Sequence, residues 1–149
     1  MAIRNIVLEG NELLRKRSKE VKFFDKSLIE LLDDMYETMI KHEGCGIAAP
    51  QVGVLKRAVI VETNGQKLEL INPVITKYSG VQSGSEGCLS VKNVRGVVER
   101  PYKVTVEAVD RYGNPMTITA CDFLATAICH ELDHLDGILF IDKMIKEGK

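Results

Sequence analysis

The stretch CHELDHLDG, residues 129–137, is the most informative part of this chain because it places two histidines four residues apart. Residues four apart on a helix lie about 5–6 Å from each other on one face, so His130 and His134 can reach a single metal ion. Glu131 lies about 100° around the helix from His130, which places its carboxylate beside such an ion rather than on it. A carboxylate there can take a proton from a water molecule. The pattern therefore predicts a metal site with an acid–base group.

A pair of solvated histidines on a helix surface is the simpler alternative, because two ligands do not complete a catalytic site. Such a site requires three protein ligands and an open position for water. Two known continuations of the pattern are missing. Phe140 stands where a third histidine would follow, and the 15 residues after His134 are too few for a helix that carries a glutamate ligand. We therefore expect the third ligand upstream.

Two upstream residues can supply that ligand. His42 lies at the predicted end of a helix, where a histidine is usually solvated. Cys88 lies within residues 86–90, EGCLS, a glycine-containing turn between predicted strands. A thiolate donates more charge than an imidazole and suits borderline and softer metals. Cys88 is therefore the preferred candidate.

The composition is that of an ordinary folded protein. The chain has 149 residues, of which 45% are hydrophobic, and 20 basic residues balance 21 acidic ones for a net charge of −1. This balance argues against a nucleic-acid-binding protein, which would carry a basic stripe. No apolar run approaches the roughly 18–20 residues of a membrane-spanning helix, and the four cysteines include no CxxC pair. The N-terminus has no signal-peptide pattern, so we expect a single cytoplasmic domain over residues 1–149.

The periodicity of the apolar residues predicts an α+β fold. A helix capped by Asp25 or Ser27 has a buried stripe of apolar residues and ends near Gly44; the stripe is formed by Leu28, Leu31, Leu32, Met35 and Met39. Asn64-Gly65 indicates a hairpin turn. The other predicted elements are a short helix over 11–18, strands over 57–62, 67–71, 74–78, 103–110 and 115–121, and a final helix over 123–135 capped by Asp122. We therefore expect antiparallel β-sheets packed around the C-terminal histidine-bearing helix, preceded by an N-terminal helical segment.

Three blocks of the sequence resemble the signature motifs of peptide deformylases. They are residues 44–53, GCGIAAPQVG, residues 86–90, EGCLS, and residues 129–137, CHELDHLDG. The blocks follow that family's order and spacing, and the resemblance spans nearly the whole chain. Two positions within these blocks depart from the family pattern. Cys45 replaces a common aliphatic residue, and Cys129 stands where glutamine usually precedes the first histidine.

The resemblance implies a metal site with defined roles around it. The implied ligands are Cys88, His130 and His134, with water in the fourth position. Glu131 is the implied acid–base group, which accepts the proton of the water and passes it to the leaving amine. The Gln51 side-chain amide and the Leu89 backbone N–H are implied to stabilise the oxyanion.

The resemblance also implies a substrate that lies extended and adds as a strand beside the first block. The implied substrate-binding residues are Gly44, Cys45, Gly46 and Gly87 along the peptide backbone, Ile128 in the methionine pocket and Arg95 near the groove. Plain core packing is an equal alternative for Ile128, and a solvated position remains an alternative for Arg95.

The implied reaction is hydrolysis of the formyl group from N-formylmethionyl nascent peptides, with release of formate. The implied cofactor is one divalent ion, Fe²⁺ first, with Ni²⁺, Co²⁺ or Zn²⁺ as alternatives, because each of them accepts Cys and His ligands. We expect a monomer with transient ribosome proximity, no membrane association and no direct nucleic-acid binding. The rival functions are another zincin-type metallopeptidase and a catalytically silent metal- or peptide-binding relative.

Overall fold

The computed structural model describes residues 2–145 as two α-helices, seven β-strands and three short 3₁₀ turns. The helices are α1 (Lys26–Lys41) and α2 (Asp122–Leu135). The strands are β1 (Gly46–Ala48), β2 (Ala58–Thr63), β3 (Gln66–Ser79), β4 (Gln82–Cys88), β5 (Val91–Arg100), β6 (Lys103–Val109) and β7 (Pro115–Cys121). The 3₁₀ turns span Glu12–Arg15, Ala49–Val52 and Phe140–Asp142. Met1 and residues 146–149, the ends of the expected domain, lie outside the described residues.

Five of the strands form one antiparallel sheet in the order β1-β2-β3-β6-β7, and β4 and β5 form a separate hairpin. The short strand β1 therefore lies at one edge of the large sheet. It pairs with β2 in the register Gly46↔Val61 and Ala48↔Val59. An edge strand presents backbone N–H and C=O groups that another extended chain can bind.

The two helices cover opposite faces of the large sheet. Successive side chains of a strand point to opposite faces, and β2 follows this rule. Val59 and Val61 pack in the cluster that contains the apolar face of α2, whereas Ala58 and Ile60 pack in the cluster that contains α1. Burial of each large aliphatic side chain stabilises the fold by about 1.5–3 kcal/mol. The site-bearing helix is therefore held against a well-packed sheet.

The prediction for α1 is confirmed. The helix spans Lys26–Lys41, and all five stripe residues are buried. Asp25 is the N-cap, because its side chain accepts a hydrogen bond from the Leu28 N–H at 3.1 Å. Ser27, the alternative cap, instead donates to Asp25 Oδ1 at 2.8 Å. His42 caps the C-terminus, and its Nδ1 is hydrogen-bonded with the Thr38 carbonyl. Among residues 2–145, His42 does not belong to the group of side chains that converge on one point, which is formed by Cys88, His130 and His134.

The predicted strands are confirmed in position but differ in extent. The segments expected over 67–71 and 74–78 form one strand, β3, with a bulge between Ile71 and Val74. Asn64-Gly65 makes the expected hairpin turn, with φ of 50° and 77°. The sequence did not predict β1, β4 or β5. The helix expected over 11–18 is wrong, since only the turn Glu12–Arg15 forms there.

The helix α2 begins one residue before its predicted start and ends where expected. Cys121 is its N-cap and Asp122 its first residue, so the predicted Asp122 cap is wrong. Gly137 follows with φ of 76°, the left-handed conformation that a glycine adopts without strain. Within residues 2–145, neither α-helix is long and apolar enough to cross a membrane.

Candidate active site

Cys88, His130 and His134 come together between α2 and the β4–β5 hairpin. His130 and His134 lie on the buried face of α2, and Cys88 is the last residue of β4. One ligand atom from each residue lies within 4.8 Å of the other two. The Sγ of Cys88 is 3.3 Å from the Nε2 of His134. Ligand bonds of about 2.0–2.3 Å in tetrahedral geometry place neighbouring ligand atoms about 3.3–3.8 Å apart, so the three groups fit a single ion.

The rings of the two histidines also suit metal binding. The Nδ1 of His130 is 3.0 Å from the Glu86 carboxylate, which leaves Nε2 directed towards the other two groups. Burial would lower the pKa of His130, but its hydrogen bonds with Cys88 and Glu86 outweigh burial and raise it. Burial and the neighbouring charge of His130 lower the pKa of His134 to about 3, so this imidazole is neutral at pH 7. A metal ion binds the neutral imidazole of a histidine and the thiolate of a cysteine, so these residue types suit a metal site.

Glu131 lies beside the ligand set, fully enclosed. Its Oε2 is 4.0 Å from the Nε2 of His130, and its Oε1 is buried without a hydrogen-bond partner among the described residues. Burial raises the pKa of Glu131 to about 7. A Cβ atom at Gly46 would lie 2.5 Å from the Glu131 Oε2, so a side chain at that position would displace the carboxylate. The carboxylate is therefore free to exchange a proton with a group bound next to the ligands.

Glu86 and Arg100 form a buried ion pair behind His130. The Arg100 guanidinium donates two hydrogen bonds of 2.9 Å to Glu86 and one of 2.7 Å to Asp133. Burial would raise the pKa of Glu86, but Arg100 and His130 lower it to about 2. The Glu86 carboxylate therefore stays ionised and fixes the orientation of the His130 ring, as the outer partners of metal-binding histidines commonly do.

Gln51 points its amide nitrogen at the same centre. Its side-chain oxygen accepts a hydrogen bond from the Ala48 N–H at 2.9 Å. This bond leaves Nε2 to donate to Ser90 Oγ at 3.1 Å and towards Cys88 Sγ at 3.5 Å. Because Gln51 is 1% exposed and held at both ends, its N–H donor is fixed in position.

A cavity of about 340 Å³ opens in front of the site. Most of the residues expected to act there line it, namely Gly44, Cys45, Gly46, Gln51, Gly87, Cys88, Leu89, Arg95, His130 and Glu131. The Arg95 guanidinium packs against Gly87, since a Cβ atom added at Gly87 would lie 2.6 Å from Arg95 Nη1. Arg95 Nη2 donates a hydrogen bond to the Ser85 carbonyl at 3.2 Å. Arg95 is itself exposed at the cavity, so its role in binding stays a prediction.

The structure does not bring Ile128 to the cavity. Its side chain is fully buried in the core between α2 and the sheet. The reason is helical geometry, because Ile128 precedes His130 by two residues, about 200° around the helix. The cavity wall that α2 supplies consists of Phe123, Thr126 and Ala127, which the sequence analysis missed. Spacing from His130 could have found them, since three- and four-residue steps define one helix face.

Known proteins resemble this chain over nearly its full length. A model of the polypeptide deformylase family matches residues 3–149. A peptide deformylase of Caldicellulosiruptor bescii is 55% identical over 98% of this chain and 88% of its own length. The crystal structure of a peptide deformylase from Legionella pneumophila has a TM-score of 0.93 at 42% identity, covering 96% of this chain and 86% of that one. The Met-Ala-Ser-bound class I type b peptide deformylase from Acinetobacter baumannii has a TM-score of 0.91 at 34% identity, covering 95% of this chain and 98% of that one. The chain belongs to the peptide deformylase family.

Proposed function

We propose that this protein hydrolyses the formyl group from N-formylmethionyl peptides and releases formate. The observation that carries the proposal is the buried Glu131 carboxylate beside three convergent metal-ligand groups, at the mouth of a peptide-sized cavity. Family membership supports the reaction, and the related Acinetobacter baumannii enzyme has been crystallised with Met-Ala-Ser, the peptide that deformylation of formyl-Met-Ala-Ser would leave. We place the catalytic domain at residues 1–149.

Cys88, His130 and His134 would hold one divalent ion, for which Fe²⁺ is our first assignment. Ni²⁺, Co²⁺ and Zn²⁺ suit the same ligand set. Such an ion supplies Lewis acidity and lowers the pKa of water towards about 7. With a divalent ion bound, two neutral imidazoles and one thiolate would give the centre a net charge of +1.

Three groups of the chain would handle the proton and the developing charge. Glu131 has a pKa of about 7, and its Oε1 has no hydrogen-bond partner within residues 2–145, so it can accept the proton of the attacking water and deliver it to the leaving amine. The Gln51 Nε2 and the Leu89 backbone N–H would donate hydrogen bonds to the oxygen of the formyl group as it becomes negative. Removal of one such donor typically lowers the rate by roughly 10²–10³.

The substrate backbone would add to the free edge of β1. Gly44, Cys45 and Gly46 lie along this edge, and Gly87 faces them across the cavity. An extended peptide there would form strand-like hydrogen bonds and place its first side chain against α2. Phe123, Thr126 and Ala127 would then contact that side chain, and Arg95 would lie beside the following residues.

The proposed reaction indicates where in the cell the protein acts and what it meets there. Nascent formylated chains occur in the cytoplasm near ribosomes, and we therefore assign the protein there as a monomer that meets the ribosome transiently. The near-neutral net charge of −1 supports recognition through peptide backbone rather than nucleic acid.

Product analysis separates this function from its rivals. Incubation of the metal-loaded protein with formyl-Met-Ala-Ser should release one formate per peptide and leave Met-Ala-Ser intact. A zincin-type peptidase would instead cut a peptide bond, and a silent relative would release nothing. Either of these results would refute the proposed function.

A further inference from the structure

The two histidines of the site are held in different ways. Glu86 fixes the His130 ring through its Nδ1. The Nδ1 of His134 is buried and has no hydrogen-bond partner among residues 2–145, and this residue is 1% exposed. With no acceptor at Nδ1, the ring of His134 is positioned by its contact with Cys88 Sγ and by the backbone of the last turn of α2.

That last turn is held by residues remote in sequence. The Leu135 carbonyl, one residue after His134, accepts hydrogen bonds from the Ser18 N–H at 2.8 Å and from Arg57 Nη1 at 3.0 Å. Arg57 Nη2 also donates to Asp136 Oδ1 at 3.0 Å. The last carbonyls of a helix have no partner within it, so these bonds satisfy a group that would otherwise be free to move.

We propose that Arg57 is a positioning residue for the metal ligand His134. Its side chain is 16% exposed and its partner Asp136 is 41% exposed, so the bond to the Leu135 carbonyl is the better shielded of the two. A guanidinium presents several N–H groups in one plane and binds the carbonyl and the carboxylate together. Its positive charge also complements the negative C-terminal end of the helix dipole. Arg57 thus fixes the helix end, and it is not one of the residues that line the substrate cavity.

A second contact closes the same end of the helix. A Cβ atom at Gly137 would lie 2.3 Å from the Arg15 carbonyl oxygen, so the chain leaving α2 passes directly against residues 15–18. Arg15 also forms an ion pair with Asp142, on the segment that follows. Residues 15–18 and Arg57 together enclose the turn that carries His134.

Metal binding by Arg57→Ala and Arg57→Lys tests the proposal. Arg17→Ala is the matched control, since Arg17 is 77% exposed and lies 3.9 Å from the same Asp136 oxygen. Co²⁺ is the probe, with its affinity measured against a chromophoric chelator and its visible absorption recorded. We expect Arg57→Ala to weaken Co²⁺ binding about 10-fold, the lower end for loss of an outer partner, and to alter the cobalt bands. We expect kcat for formyl-Met-Ala-Ser to fall with KM unchanged, and Arg17→Ala to match the wild type.

The variant Arg57→Lys keeps the charge but cannot bind both oxygens in the same geometry, so we expect an intermediate loss of affinity. If Arg57→Ala does not fold, the same measurements on Arg57→Lys test the proposal. Wild-type affinity within twofold and an unchanged cobalt spectrum in a folded Arg57 variant would overturn the proposal.

The inference rests on the proposed metal site and not on the reaction. Wild-type protein that binds Co²⁺ but releases no formate would refute only the proposed function, and wild-type protein that does not bind Co²⁺ would refute the ligand set and this inference together.

Discussion

Gly46 lies where the edge of the sheet passes closest to the acid–base group. Its position leaves room for the Glu131 carboxylate, because a methyl group there would be 2.5 Å from Oε2. The sequence analysis assigned both residues to the site by their motifs. The contact between them is a tertiary fact that no spacing along the chain predicts. The error at Ile128 has another cause, because helical spacing from His130 already places Ile128 about 200° around α2, away from the metal ligands.

The variant Gly46→Ala should therefore lose activity while it keeps its metal. The added methyl displaces the Glu131 carboxylate, and misplacement of a catalytic group by about 1 Å can lower the rate about 10²-fold. Gly84→Ala is the control, since a Cβ at Gly84 meets no atom within 4 Å. Steady-state kinetics and metal analysis check both variants. Wild-type kcat in Gly46→Ala would contradict this account of the contact.

The variant Glu131→Ala tests the proton transfer itself. Glu131 is not one of the three ligand groups, so the protein should keep one metal ion per chain. Loss of a general acid–base group lowers the rate by roughly 10²–10⁴. Formate release should fall by that factor in single-turnover measurements. Near-normal turnover in a metal-loaded Glu131→Ala protein would remove this residue from the mechanism.

At the scale of elements, the sequence predicts what depends on regular periodicity. The helix α1 was found from its apolar stripe, and the hairpin from Asn64-Gly65. The strand β3 was divided in two because Asn72-Pro73 resembles a break. In the structure Asn72 takes a φ of 53°, and the strand continues through a bulge. The strand β4, QSGSEGC, was missed because its polar and small residues show no alternation.

The stripe of α1 makes a quantitative prediction at this scale. Leu32 is fully buried in the core between α1 and the sheet. Leu32→Ala should lower the free energy of unfolding by about 2–5 kcal/mol, since it leaves a cavity. Ile40→Ala, on the exposed side of the same helix at 48% exposure, should change it by less than about 0.5 kcal/mol. Denaturant titration measures both values, and equal losses would contradict the predicted orientation of the helix.

At the scale of the whole molecule, the N-terminal segment is tied to the core by Asp34 on α1. Asp34 Oδ1 accepts the Ala2 N–H at 2.7 Å, and Oδ2 accepts Arg4 Nε at 2.9 Å. Burial would raise the pKa of Asp34, but these hydrogen bonds outweigh it and hold the pKa below 3.8. A carboxylate with a lowered pKa in the folded state stabilises the fold at higher pH.

This contribution should disappear in acid. Asp34→Asn should be less stable than the wild type at pH 7, where the carboxylate is ionised in both states. As the pH falls below 3.8, protonation of Asp34 in the unfolded and then the folded state should bring the two proteins together. Unfolding free energies from pH 7 to pH 3 measure the difference. A difference that stays constant would show that the charge of Asp34 does not stabilise the fold.

Formate release before and after metal removal tests the central claim, that this chain is a metal-dependent deformylase with Cys88, His130 and His134 as ligands. The account predicts that a chelator abolishes formate release from formyl-Met-Ala-Ser. One equivalent of Fe²⁺, added without oxygen, should restore release in the wild type and not in Cys88→Ser. Undiminished formate release by protein from which the metal has been removed would contradict the account.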